Sequence, residues 1–161
     1  MKDSHPAAIV ARDAQAKLGT SYPEPFKQNV GKRSKRALGD LFGLKNVGVN
    51  LVEVPPGCWS AQRHWHTHED EFIYVLSGEL TLVTDRDRKK LNAGMVAGFA
   101  AGDDNGHHLI NDGRAVASYL EIGDRIPADE VFYPDIDLQL VLDSEGNHVF
   151  TSRDGKPYAG G

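Results

Sequence analysis

One cysteine, Cys58, stands in 161 residues, so no intrachain disulfide can form and packing and hydrogen bonds must hold the fold. Flanked by Gly57 and Trp59 in a strand-like stretch, its thiol reads as a buried side chain rather than a nucleophile. No run approaches the roughly 18 apolar residues of a membrane span. The opening Met1-Lys2-Asp3-Ser4-His5-Pro6 lacks the long apolar core of a signal peptide. These absences lead us to expect a cytoplasmic protein with no membrane partner. Positive charge is also scarce: 18 Lys and Arg face 23 Asp and Glu, a formal net charge of −5. A nucleic-acid partner needs a clustered positive field, and residues 1–45 show no helix-turn-helix pattern, so none is expected. The exception is the basic run Lys32-Arg33-Ser34-Lys35-Arg36. It reads either as a solvated surface segment or as a site for an anionic substrate or partner. Internal repeats and low-complexity segments are missing as well.

The length suits one domain, and 40% hydrophobic with 25% charged residues is enough apolar material for one core. Residues 1–45 read as an N-terminal arm packing on a barrel. Residues 7–18 predict a short helix stopped by Gly19, and Ser21-Tyr22-Pro23-Glu24-Pro25 an extended or turn-like stretch. From residue 46 onward the chain reads as one barrel domain with a C-terminal extension. Candidate strands are 47–54, 58–66, 71–77, 79–85, 95–99, 107–111, 115–122 and 129–133, separated by turn residues such as Pro55-Pro56-Gly57, Ser77-Gly78 and Asp112-Gly113. Many short strands with no long helix between them predict an all-β sandwich or barrel. Turn signals at Ser144-Glu145-Gly146-Asn147 and Arg153-Asp154-Gly155-Lys156 predict a C-terminal hairpin.

Five of the seven histidines fall in two stretches, 64–68 and 107–108. Alternate residues of a strand share a face, so a strand over 58–66 would place Ser60, Gln62, His64 and His66 together. In the next strand Glu71, Ile73 and Val75 share a face; later His107, Leu109 and Asn111 do. Three imidazoles and a carboxylate form a mixed nitrogen and oxygen set suited to a divalent transition metal. His68 has the parity of His64 and His66, so a His66–His68 pair stays open, and His108 competes with His107. His108 would face a rim or a subunit contact. Gln62, Ile73, Leu109 and Tyr119 are candidates for a substrate pocket, apolar with a few polar groups.

At these residues the chain resembles the cupin superfamily. The first cupin motif is matched by Gly57-CWSAQR-His64-Trp65-His66-THED-Glu71-FIYVLS-Gly78, with one residue too many between Gly57 and His64. The second is matched by Gly94-MVAGF-Ala100-Ala101-Gly102-DDNG-His107-HLI-Asn111, with Ala100 in place of proline and two extra residues before His107. The resemblance implies a double-stranded β-helix, or jelly-roll barrel, with His64, His66, Glu71 and His107 as ligands of one divalent transition metal, whether Fe, Mn, Zn, Ni or Co. It also implies a homodimer; Trp59, Trp65, Phe72 and Tyr74, of outward parity, are candidates either to pack under the N-terminal arm or to form the dimer interface. The general texture is similar to sugar-phosphate isomerase-like cupins.

Three functions follow. The first is a metal-dependent isomerase or lyase of a sugar, sugar phosphate or hydroxy/keto acid, with Gln62, Tyr119, Glu121 and Tyr133 as candidates to orient substrate or move a proton. The others are an iron-dependent dioxygenase and a non-catalytic small-molecule binding or sensor protein.

Overall fold

The computed structural model describes residues 5–159. Where a helix is expected over 7–18, the chain forms a single 3-10 turn, Ala11–Asp13, and a two-residue strand, Lys17–Leu18 (β1). Val10 offers no side-chain cap, and Ile9 and Val10 stay exposed. A helix this short with no apolar face to bury is marginal in water. The basic run instead becomes Ser34–Ala37 (β2), followed by one helical turn, Leu38–Leu41 (α1).

The barrel proper begins with Val47–Val54 (β3) and continues through Trp65–His66 (β4), Glu71–Ser77 (β5), Glu79–Val83 (β6), Arg88–Asn92 (β7), Val96–Phe99 (β8), His108–Ile110 (β9) and Ala117–Asp124 (β10). Val131–Tyr133 (β11), Leu138–Leu142 (β12) and His148–Thr151 (β13) complete it. The strands form a six-stranded sheet in the order β1-β2-β3-β10-β5-β8, a four-stranded sheet β13-β12-β11-β4 and a three-stranded sheet β7-β6-β9. All pairings are antiparallel, as in a jelly roll. β12 and β13 are the C-terminal hairpin, and its turn is held by Asp143, which accepts the backbone N–H groups of Glu145 and Asn147. Strand β7 was not anticipated, because Leu91 is the only apolar residue in RKKLN.

The expected strand over 58–66 is broken. Trp59 and His64 make single bridges to Ile110 and His107, and Ser60–Arg63 bend between them. Side chains replace the ladder there. The Ser60 hydroxyl accepts the Leu109 N–H, Gln62 donates to the Phe26 carbonyl, and Arg63 forks onto Asp135. This bend takes up the extra residue between Gly57 and His64. At Gly78 a tight turn joins β5 to β6 with φ 74°, and a Cβ there would stand 2.9 Å from Ala117, so the position suits glycine alone.

Two apolar clusters fill the interior. One, at the closed end, gathers Val52, Val54, Cys58, Ile73, Val75, Leu80, Leu91, Leu109, Ala117 and Tyr119. The other joins Tyr22 and Val30 of the N-terminal segment to Val131, Tyr133 and Leu138. That segment is therefore stitched to the four-stranded and six-stranded sheets: Tyr22 packs edge-on against Tyr133 and Phe150, and Arg36 pairs with Glu53 of β3 at 2.6 Å. The hydrogen bond from Arg36, helped by Ser34, holds the Glu53 carboxyl below its ordinary value. A depressed carboxyl contributes stability above its unfolded value near 4.3 and loses it as pH falls. Glu53→Gln is accordingly expected to cost about 1 kcal/mol in urea unfolding at pH 7. The difference should shrink toward zero as pH is lowered below about 4. A gap that persists at pH 3 would mean that the ion pair is not its source.

Candidate metal centre

The inner face of the large sheet is graded along its strands. Register places Val52 beside Tyr119 and Tyr119 beside Val75, all in the closed core. Two residues further toward the open end Asn50 lies beside Glu121, and two beyond that Gly123 lies beside Glu71. Here the side chains become polar and face a cavity of about 360 Å³. His64 and His66 enter from the opposite side. The backbone of His64 exchanges hydrogen bonds with His107, and β4 pairs with β11.

The ligand-type atoms of His64, His66 and Glu71 all lie within 4.8 Å of one another. Glu71 Oε2 stands 3.7 Å from His64 Nε2, 3.8 Å from His66 Nε2 and 2.8 Å from His107 Nε2. The far ring nitrogens explain why the three rings converge. His64 Nδ1 is 2.8 Å from the Gln62 carbonyl, which can only accept, so it carries the proton. His66 Nδ1 is 2.6 Å from the Asp129 carboxylate. In both rings Nε2 is the nitrogen turned toward Glu71, the side on which a metal ion would be held. His107 is fixed by its ring, stacked on Phe99 at 3.5 Å and 1°. The donor set and its orientation fit a divalent metal ion.

Burial by itself would raise the Glu71 carboxyl, but hydrogen bonds from His107 and His64 and their charge hold it well below the usual carboxylate range. Burial pushes His107 below its ordinary value, with Glu71 only partly opposing. For His64 burial acts in the same direction, but the hydrogen bond and charge of Glu71 outweigh it and the ring is raised.

Neither alternative histidine joins the cluster, and only His108 departs from its expected place. His68 is exposed and bonds to Thr67, away from the cluster. His108 does not face a rim: it is buried against Trp59, hydrogen-bonded to the Ala61 carbonyl, and burial pushes it down to about 4. Asn111 is buried and structural, donating to Val54 and Ala115 and accepting from Gly113. The two extra residues before His107 lie in the turn at Gly102, whose N–H bonds to the His66 carbonyl and ties that loop to the site.

The proposed pocket residues need correction. Ile73, Leu109 and Tyr119 have inward parity but are sealed in the apolar core, Tyr119 one inward position deeper than Glu121 and Ile73 beside Glu121 yet covered. Gln62 spends its amide on the carbonyls of Phe26 and Gln28. The cavity is lined instead by Asn50, Glu69, Glu121, Tyr133 and by Tyr22, Arg33 and Lys35 of the N-terminal segment. Asp129 was missed too. Its oxygens accept from His66, Thr67 and the N–H groups of His68 and Glu69. Those donors make it an orienting group for His66, although its oxygen, with His66 and Glu69, forms another close trio. A lone aspartate after Ile126-Pro127 carries no signal of this in sequence. The basic run did carry one for Arg33 and Lys35.

A family model for the cupin domain matches residues 50–123, which include both histidine clusters. A sugar phosphate isomerase of the cupin superfamily from Silicibacter pomeroyi is 36% identical, with a TM-score of 0.87, over 94% of this chain and 96% of that one. The chain belongs to the cupin superfamily. A second cupin-like structure, provisionally assigned as a sugar phosphate isomerase from Acidithiobacillus ferrooxidans, shares 32% identity and a TM-score of 0.70 over 76% of this cupin and 78% of its own chain. A polyketide cyclase from Streptomyces resistomycificus, at 20% identity and TM-score 0.59 over 73% and 78% of the two chains, shares the fold alone. Among curated proteins nothing matches. No helix among the described residues is long and apolar enough to cross a membrane.

If Asp129 orients His66, Asp129→Asn should weaken divalent-metal binding by roughly 10–100-fold while leaving the fold intact. Equal affinity, read by competition with a chelating dye, would reduce Asp129 to a loop fastener.

Proposed function

We propose that this cupin is a metal-dependent enzyme acting on a small polar organic molecule, a sugar, sugar phosphate or hydroxy/keto acid, by isomerase or lyase chemistry. The observation that carries the reading is that His64, His66 and Glu71, backed by His107 on Glu71, face a cavity whose wall also holds Glu121. One divalent transition metal per chain would be held by these four side chains and would supply Lewis-acid polarisation of a substrate oxygen.

The remaining work falls to the chain. Glu121 is the proton-transfer group: Asn50 donates to its Oε1 at 3.1 Å and the Lys35 ammonium stands at 2.5 Å, so it is fixed in the cavity wall. Tyr22 and Tyr133 line the same space, and burial pushes both hydroxyls above their ordinary values, so they stay neutral donors for substrate oxygens. The N-terminal segment walls the cavity and limits its exchange with bulk water. Likeness over nearly the whole chain to the Silicibacter pomeroyi isomerase supports the same reaction class.

Elemental analysis of tag-free protein should find about one divalent transition metal per chain, lost in a His64→Ala/His66→Ala double variant. Metal-loaded protein should then turn over a member of a sugar, sugar-phosphate and hydroxy-acid panel at the same rate with and without dioxygen. Glu121→Gln should lower kcat by roughly 10²–10⁴-fold with metal content unchanged. A requirement for dioxygen would replace this reading with a dioxygenase, and specific binding without turnover would replace it with a sensor.

We also propose a homodimer. Phe72, Tyr74, Leu76 and Val96 form an apolar strip on the outer face of β5 and β8, each at least 41% exposed. Light scattering at micromolar concentration should give twice the chain mass; a monomer would sink this assignment.

A further inference from the structure

The lysine and arginine side chains that face the cavity are paired with acids, with one exception. Lys35 pairs with Glu121 at 2.5 Å, and Arg125 pairs with Asp40. Glu69 accepts the Ile126 N–H at 2.7 Å, Glu71 meets His107 at 2.8 Å, and Asp124 accepts the Asp70 N–H at 3.3 Å. Arg33 lines the same cavity, yet it forms no ion pair among the described residues. Its Nη1 donates to the Ser60 carbonyl at 2.5 Å, and its Nε is sealed from solvent with no partner. The side chain is half-buried, and a guanidinium with Nε cut off from water gains from an anion that neutralises it.

Its position follows from strand parity. Ser34 and Arg36 point to Glu53 on the outer side, so Arg33 and Lys35 share the inner side with Asn50 and Glu121. The arm thus delivers two cations into a cavity whose other elements supply the metal-ligand set. We propose that Arg33, flanked by Lys35, is the subsite for an oxyanion carried by the substrate, a phosphate monoester or a carboxylate, whose hydroxyl or carbonyl end meets His64, His66, Glu71 and His107. This deepens the reading of the cavity as a substrate site and rests on it. A planar fork of N–H donors suits either oxyanion better than an ammonium does. About 360 Å³ falls in the range of small-molecule sites.

The test is calorimetric titration of inorganic phosphate, and separately of acetate, into the metal-free full-length chain at pH 8, where metal chelation cannot contribute. Wild type should bind at least one of the two. Arg33→Met should weaken that binding by at least roughly tenfold. Lys32→Met, at an exposed neighbour, should leave it unchanged, and Arg33→Lys should recover part of it. The anion should raise Tm of wild type but not of Arg33→Met, and that melt also reports folding. If Arg33→Met does not fold, Arg33→Lys carries the comparison. Tighter phosphate binding assigns a phosphate ester, and tighter acetate binding a carboxylate. No binding of either anion to wild type, or equal binding by the Arg33 variants, overturns the subsite. Turnover is not read, so the anion subsite and the isomerase reading can fail independently.

Discussion

A carboxylate buried among imidazoles organises the open end of this barrel. Glu71 begins β5, and its charge is tolerable in the interior because His107 donates to it at 2.8 Å and the His64 and His66 rings stand beside it, all from other parts of the chain. Those rings must therefore arrive in register. His64 does so through its backbone exchange with His107, and His66 through Asp129, itself fastened to the loop 67–69. Each tie crosses between sheets or loops, so assembling the donor set and closing the open end are one event.

The gradient along the inner face then separates stability from chemistry. Tyr119 and Glu121 are two residues apart on one strand and face the same way, yet one is sealed in the apolar core and the other lines the cavity. A jelly roll with such a division keeps its closed end rigid by packing while the open end carries groups that would be costly to bury without partners. The N-terminal segment completes that end. It adds β1 and β2 to the large sheet, shares the second apolar cluster with β11 and β12, and contributes Tyr22, Arg33 and Lys35 to the cavity.

Much of this was legible in the chain. The spacing of His64, His66 and Glu71, with His107 far downstream, named the cluster that the fold brings together, because ligation from a strand needs alternate residues and leaves that trace. The all-β class was legible from short strands and turn residues. The pocket was not. Parity tells which face a side chain takes but not what covers it there, so Ile73, Leu109 and Tyr119 looked like lining and proved to be core. The strand expected over 58–66 failed because side-chain hydrogen bonds from Ser60, Gln62 and Arg63 outcompete a ladder there.

By itself, then, the sequence determined the residue types of the donor set, their spacing and the barrel class, since these depend on local periodicity. Only the tertiary structure decided which histidine nitrogens turn inward, that Asp129 holds His66, that His108 is buried, and which cations of the arm's basic run face the cavity. Each of these depends on contacts between residues far apart in the chain, such as His66 with Asp129 and Arg33 with Ser60, and no local pattern encodes them.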